Sequence, residues 1–397
     1  MTLDKAQTKA FLKRYTMVIA LLFIWVLFGI LTDWVFFKAR NLSNLFRQMT
    51  ITGFLASGML LVIVTGGIDL SVGSVTGFVS AVAAFFQARV FPDLLLNMMP
   101  NASIAARGIT STIVTVLIAL VVGLMIGSLQ GLVISYLSVP AFIVTLGCML
   151  IFRGGVLGVT GGKTIVPIED SFRLIAQGYV PKPVGLILAL IVVVLIFLGS
   201  LDSRRRKRAY GFELKPLAQD LLMAGLWSAL VLVYVLIMNS YRGIQNPVLL
   251  LAVVAMIVHY ITQNTRFGRY VYALGGNKEA TRLSGVNIKK NLFKVHALMG
   301  TLGGVAGIVL TGYVAAGTTG GGTNYELDAI ASCVIGGVSL SGGSGTIMGT
   351  MIGALVMASL VNGMSVMNMP IFWQYIIKGL VLIVAVYFDI ASKKKSS

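Results

Sequence analysis

The stretch Thr65-Gly66-Gly67-Ile68-Asp69-Leu70-Ser71-Val72-Gly73-Ser74 sets one carboxylate and three hydroxyls among glycines, between the apolar runs 51–64 and 75–86. A carboxylate inside an apolar run is costly, so Asp69 must be satisfied by neighbours or face a watery path. The glycines let the backbone leave a helix, which lipid-facing segments cannot do. Nearly the same phrase returns late in the chain as Gly336-Gly337-Val338-Ser339-Leu340-Ser341-Gly342-Gly343-Ser344. Six of nine positions are identical, Ile68 pairs with Val338, and the largest change puts Ser339 in place of Asp69. Glycine-broken segments at matching places in two halves of a membrane chain point to a translocation site. The chemistry on offer is hydrogen-bond exchange. Ser71, Ser74, Ser339, Ser341, Ser344, Asn362 and Gln374 can trade hydrogen bonds with a neutral, hydroxyl-rich solute without a counter-charge. Serines also bond their own helix backbones, so the inventory alone is open to both readings.

No catalytic constellation accompanies these residues. His259 and His296 lie on either side of one loop, near helix ends, with no partner pattern for a metal or a triad, and read as interfacial residues. Gly158-Val159-Thr160-Gly161-Gly162-Lys163-Thr164 resembles a phosphate-binding loop, but the first glycine of that pattern would fall on Leu157. An energised transporter built from this chain therefore needs a separate ATPase. The charges within spans are Asp33, Asp69, Arg153 and Lys378, with Glu326 and Asp328 at a helix start, where first-turn carboxylates are favourable. A carrier driven by an ion gradient usually buries titratable carboxylates, and only Asp69 fits that description well.

The elements that position these residues are membrane helices. Of 397 residues, 57% are hydrophobic and 11% charged, and mean hydropathy is +0.92; soluble domains carry about 25% charged residues. The expectation is one all-α integral membrane domain over 1–397, with spans near 17–37, 50–65, 72–88, 111–137, 141–159, 184–201, 221–238, 246–262, 294–316, 327–338, 345–363 and 371–389. Of these twelve, 50–65 and 327–338 are short, and each ends at one copy of the glycine phrase. Discontinuous helices in two parallel internal repeats are expected there. The pair 184–201 and 221–238 lacks the phrase and reads as an added hairpin (184–240) beside a ten-span core. Gly123/Gly127/Gly131, Gly300/Gly304 and Gly345/Gly349/Gly353 are spaced for close helix packing.

The net charge of +18 would suggest nucleic acid in a soluble protein, but here the basic residues sit in a few loops, so no nucleic acid is implied. Segments 1–16, 202–216, 263–294 and 390–397 hold 20 Lys and Arg, against nine in 38–49, 88–110, 160–183 and 239–245. That asymmetry puts both termini in the cytoplasm. The run Arg204-Arg205-Arg206-Lys207-Arg208 reads as a topology anchor touching anionic lipid. Cys148 and Cys333 lie in apolar segments and imply no disulfide. The first apolar run has no small-residue cleavage site and reads as a retained span. In the loop 263–294, Gly275, Gly276 and Gly285 frame a short helix with Asn277 as N-cap, Glu279 and Ala280 in its first turn, and Arg282 and Ser284 beyond. A capped helix outside the membrane could dock into a groove on another protein, or be an ordinary loop.

The phrase 65–74 is similar to the signature of the membrane permease subunits of bacterial ATP-binding-cassette importers for ribose, xylose, galactose and related monosaccharides. The resemblance continues in Asn41-Leu42-Ser43-Asn44-Leu45-Phe46-Arg47-Gln48, Pro140-Ala141-Phe142-Ile143-Val144-Thr145-Leu146-Gly147, the segment 275–286, Leu327-Asp328-Ala329-Ile330-Ala331, 336–343 and Phe372-Trp373-Gln374. It covers nearly the whole chain except 184–240, and length and hairpin look most like the xylose and multiple-sugar members. The resemblance implies a multi-pass inner-membrane subunit that is not itself an enzyme and holds no cofactor. It implies a permease homodimer, a cytoplasmic ATPase subunit with two nucleotide-binding modules that bind ATP and magnesium, and a periplasmic sugar-binding protein. It assigns the pathway to Gly66, Gly67, Asp69, Ser71, Gly73, Ser74, Gly336, Gly337, Ser339, Ser341, Gly342, Gly343 and Asn362. ATPase coupling falls to Gly275, Gly276, Asn277, Glu279, Ala280, Arg282, Ser284 and Gly285. An ion-coupled secondary sugar carrier is the alternative.

Overall fold

The computed structural model describes residues 5–214 and 216–394. The outermost residues of both termini and Lys215, whose charges enter the asymmetry between the two sides, lie outside the described residues. The chain is all-helical: α1 (Lys5–Leu31), α2 (Ala39–Val64), α3 (Val72–Phe85), α4 (Phe91–Met98), α5 (Ile104–Ser135), α6 (Ala141–Thr160), α7 (Asp170–Gln177) and α8 (Lys182–Ala209). There follow α9 (Leu217–Asn239), α10 (Asn246–Asn264), α11 (Arg266–Gly276), α12 (Lys278–Leu283), α13 (Ile288–Val314), α14 (Tyr325–Ile335), α15 (Ile347–Val366) and α16 (Ile371–Lys394). Among the described residues ten helical runs are long and apolar enough to cross a membrane, α3 and α4 counting as one run, Val72–Met98, joined through the helical turn Phe86–Val90, and α1 carries a shorter apolar stretch, Met17–Leu31.

The core forms around α2, where every residue from 53 to 64 is buried. α13, α14 and α15 pack against it, with Met59, Leu60, Leu61, Met299, Cys333 and Ala354 in one cluster. The expected glycine spacings are used. A methyl on Gly127 would stand 2.8 Å from Gly300 Cα, and one on Gly123 2.9 Å from Gly304 Cα, so α5 and α13 meet backbone to backbone. Gly349 and Gly353 seat α15 on Gly336 and Ser332 in the same way, whereas Gly345 lies before α15 with φ +154. α8 and α9 form a peripheral hairpin, joined to α2 by the Phe46–Tyr234 ring contact (4.9 Å) and by Gln245, whose Nε2 donates to Ser43 Oγ (2.6 Å).

Several boundaries differ from the sequence expectation. The span expected at 50–65 is not short: α2 begins at Ala39 because its polar first turns find partners. Asn41 Nδ2 donates to Asn362 Oδ1 at 2.8 Å, and the Arg47 guanidinium lies over the Tyr179 ring. The run 204–208 belongs to the last turns of α8, where basic side chains suit the helix C-terminus and Arg204 pairs with Asp220 at 2.7 Å. Asp33 sits in an exposed turn after α1 rather than within a span. His296 is buried inside α13, with Nδ1 unpartnered. α14 has 11 residues, about 16 Å of helix against a hydrocarbon core of roughly 30 Å. The coil 315–324 precedes it, held by reciprocal backbone bonds between Gly317 and Ile165 and by Arg153, which donates to Gly321 O.

Candidate translocation site

Both glycine phrases end a helix by the same device. At Gly66 φ is +81, its N–H donates to Ile63 O (2.8 Å), and Gly67 N–H donates to Val62 O (3.0 Å). At Gly337 φ is also +81, its N–H donates to Val334 O (2.9 Å), and Val338 N–H donates to Cys333 O (2.9 Å). Glycine at this left-handed position closes the helix without a Cβ penalty. The structural register is one residue off the written one, since the alignment of letters pairs Gly66 with Gly336. Two residues on, the written register returns. Asp69 Oδ1 accepts from Ser71 N–H (2.8 Å) and Oγ–H (2.6 Å), and Ser339 Oγ accepts from Ser341 N–H (3.2 Å). After that the copies part. Val72, Gly73 and Ser74 open α3, whereas Gly342 (φ +85) and Gly343 (φ +76) keep the second copy irregular until Thr346 caps α15.

Asp69 is 1% exposed, and Gln130 Nε2 donates to Ser71 Oγ at 2.8 Å, so a Gln130–Ser71–Asp69 chain fixes the start of α3 to α5. Of the two ways the carboxylate could be tolerated, the fold uses satisfaction by neighbours. Gly73 packs against Gly322 O and Glu326, and Gly77 against Gly321 O.

The second phrase meets the helix end that leads into the first. Gly343 N–H donates to Val64 O, the last residue of α2, at 2.9 Å. Gly275 lies against the same pair: a methyl there would strike Val64 O and Gly343 N. Tyr272 Oη donates to Gly345 O at 2.8 Å, and burial pushes its hydroxyl pKa up, so the donor proton is retained. The end of α2, the second phrase and α11 thus form one backbone junction. Asn362 stands apart from it, accepting from Asn41.

Beside this junction α11 ends at Gly276, and Asn277, whose backbone is extended, starts the short helix α12 as the sequence expects. Asn277 Oδ1 accepts from Ala280 N–H (2.9 Å) and Gly285 has φ +79, so the expected caps frame α12. Glu279 and Arg282 pair on its exposed face, and Ser284 Oγ donates to Ala280 O. Leu283 is 79% exposed, an apolar side chain at the tip of a polar helix that no motif in the sequence marks. A cleft of about 550 Å³ opens here, lined by Thr65, Gly66, Gly67, Ser138, Arg282 and His296 among others.

Sequence reasoning also missed a second cavity, of about 220 Å³, between α2, the end of α13, α14 and α15. Gln48, Thr52, Tyr313, Tyr325 and Asp328 supply its polar lining. Asp328 makes a buried ion pair with Lys378 of α16, Nζ 2.7 Å from the carboxylate. Lys378, the lone base in its apolar run, and the acids Glu326 and Asp328 at the start of another were the available signal.

Comparison with known proteins places this architecture. A family profile described as "Branched-chain amino acid transport system / permease component" matches residues 41–386. The chain belongs to that permease family. Over 384 residues the permease is 42% identical to the xylose transport system permease protein XylH of Haemophilus influenzae, covering 97% of this chain and 98% of the relative. It is 40% identical to XylH of Escherichia coli K12 over 385 residues, 97% and 93% of the two chains. The ribose import permease protein RbsC of Escherichia coli K12 is 33% identical over 382 residues, 96% and 95%. No solved structure matches. As a permease component, the chain is the membrane part of a transport system and catalyses no covalent reaction.

Proposed function

We propose that the permease carries xylose or a closely related monosaccharide into the cell, as the membrane subunit of an ATP-binding-cassette importer in the bacterial inner membrane. The observation that carries this reading is the full-length 42% identity to a xylose permease, which runs through the hairpin as well as the core. The two glycine phrases, with their hydroxyls and glycine-lined backbone, supply a path suited to a neutral solute. Both termini and α12 face the cytoplasm, the ten-span core and the α8–α9 hairpin make twelve crossings, and two copies of the chain surround the pathway. A periplasmic binding protein delivers the sugar, and a cytoplasmic ATPase grips α12 through Leu283, Glu279 and Arg282. The Gly275–Val64–Gly343 junction links that grip to both phrases, so closure of the ATPase repositions the inner ends of α2 and α15. ATP and magnesium belong to the partner, and this chain needs no cofactor of its own.

The buried Asp328–Lys378 pair gives the ion-coupled carrier its one supporting observation, since such pairs serve proton relays. Vesicles containing the permease, its ATPase and its binding protein, with ATP inside, decide between them. Labelled xylose uptake that needs ATP and survives an ionophore is the expected result. Uptake that stops with the ionophore while ATP persists, or no uptake at all, overturns the proposal.

A further inference from the structure

We infer that the smaller cavity, at the start of α14, is a binding subsite for a single monosaccharide ring, in the half of the pathway opposite the glycine junction; this rests on the import reading above. Gln48 lies sixteen positions before Val64 on α2, so the cavity is about 24 Å along the helix from the Val64–Gly343 contact. It is the place where the discontinuous helix begins. Tyr325 and Asp328 come from the first turn of α14, Tyr313 from the last turn of α13, and Gln48 and Thr52 from one face of α2. Sites at the ends of broken helices are where membrane carriers hold their cargo.

The lining is chemically specific. Gln48 Nε2 donates to Tyr313 Oη at 3.4 Å, and Gln48 Oε1 has no partner in the protein. A buried amide oxygen without a donor is costly, so Gln48 stands at the cavity wall with its hydrogen bonding incomplete. Tyr313 Oη accepts from Gln48 and keeps its own proton to donate, while Asp328 accepts. Two tyrosine rings and Met357 give the apolar faces that lie along the C–H faces of a pyranose. The volume is below the roughly 300–1,000 Å³ of sites for drug-sized ligands, so one ring fits and a disaccharide does not. A zwitterionic amino acid is disfavoured. Asp328 and Lys378 already neutralise each other at 2.7 Å, and Lys378 does not line the cavity.

The test uses the complete transporter in ATP-loaded vesicles with saturating binding protein, comparing wild type with Gln48→Ala and Tyr313→Phe. Each variant is expected to raise the xylose concentration for half-maximal uptake roughly three- to tenfold, the weight of one hydrogen bond. The xylose-to-ribose uptake ratio is expected to shift as well, with subunit assembly unchanged. If a variant abolishes uptake, labelled xylose binding to the solubilised complex replaces the transport readout, and wild-type binding there overturns the subsite. Unchanged half-saturation and unchanged sugar ratio in both variants also overturn it, as does competition by L-leucine. Wild-type vesicles that take up no xylose refute the import reading itself; indifferent variants in vesicles that do transport refute the subsite alone.

Discussion

The amide of Gly343 donates to the carbonyl of Val64 at 2.9 Å, joining segments from opposite halves of the chain beside the α-carbon of Gly275. The carbonyl of Val64 is one of the last four of α2 and lacks a helical partner, so the contact satisfies an otherwise orphaned helix-end group.

Gly275→Ala is therefore expected to force α11 away from both segments. Overpacking of this kind costs about 1–3 kcal/mol, enough to lower coupled uptake roughly tenfold. Gly276 has open space around its α-carbon, so Gly276→Ala leaves permease stability unchanged. Xylose transported per ATP hydrolysed, measured beside the melting temperature of each variant, checks the contrast; equal behaviour of the two variants refutes it.

Asp69 accepts two bonds from Ser71 within a buried turn. Removing the acceptor strands those donors at a cost of about 1–3 kcal/mol, so Asp69→Ala is expected to lower the melting temperature and uptake together. Asp69→Asn keeps an oxygen in place and is expected to retain most of both. If Asp69→Asn transports nothing while melting normally, the carboxylate's charge has a role the turn does not explain.

Lys378→Met leaves Asp328 as an uncompensated charge among buried neighbours, a loss of about 3–5 kcal/mol. The double variant Lys378→Met with Asp328→Asn is expected to regain most of that stability. Thermal unfolding in detergent gives the comparison, and a single variant as stable as the double one contradicts the pairing.

Leu283 and Glu279 are exposed, so Leu283→Asp and Glu279→Lys are expected to leave stability within about 0.5 kcal/mol of wild type. Both are expected to reduce co-purification of the ATPase. Normal co-purification removes α12 from the interface.

Much of this fold was legible because membrane spans are long apolar runs. All twelve expected segments fall on helices, and the duplicated phrase points to two places where helices stop. What the letters hid follows from pairing. Asn41 and Arg47 look like loop residues until Asn362 and Tyr179 are placed beside them, so α2 starts three turns earlier than its apolar run suggests. The two phrases share six letters of nine, yet Gly342 and Gly343 are irregular where Val72 and Gly73 are helical. The difference lies in the carbonyl of Val64 and the backbone of Gly275, neither visible from the phrase itself. Asp328 reads as a first-turn carboxylate, which it is; its partner Lys378 belongs to α16, and only the fold brings the two together.

The tight seating of the coil 315–324 on α3 has a mechanical consequence. Gly73 and Gly77 admit the backbone of Gly321 and Gly322 with no side chain between, while the same helix begins at the turn locked to Gln130. The coil and the Asp69 turn therefore grip the same end of α3, its first two turns, and any shift of that helix end is felt by both at once.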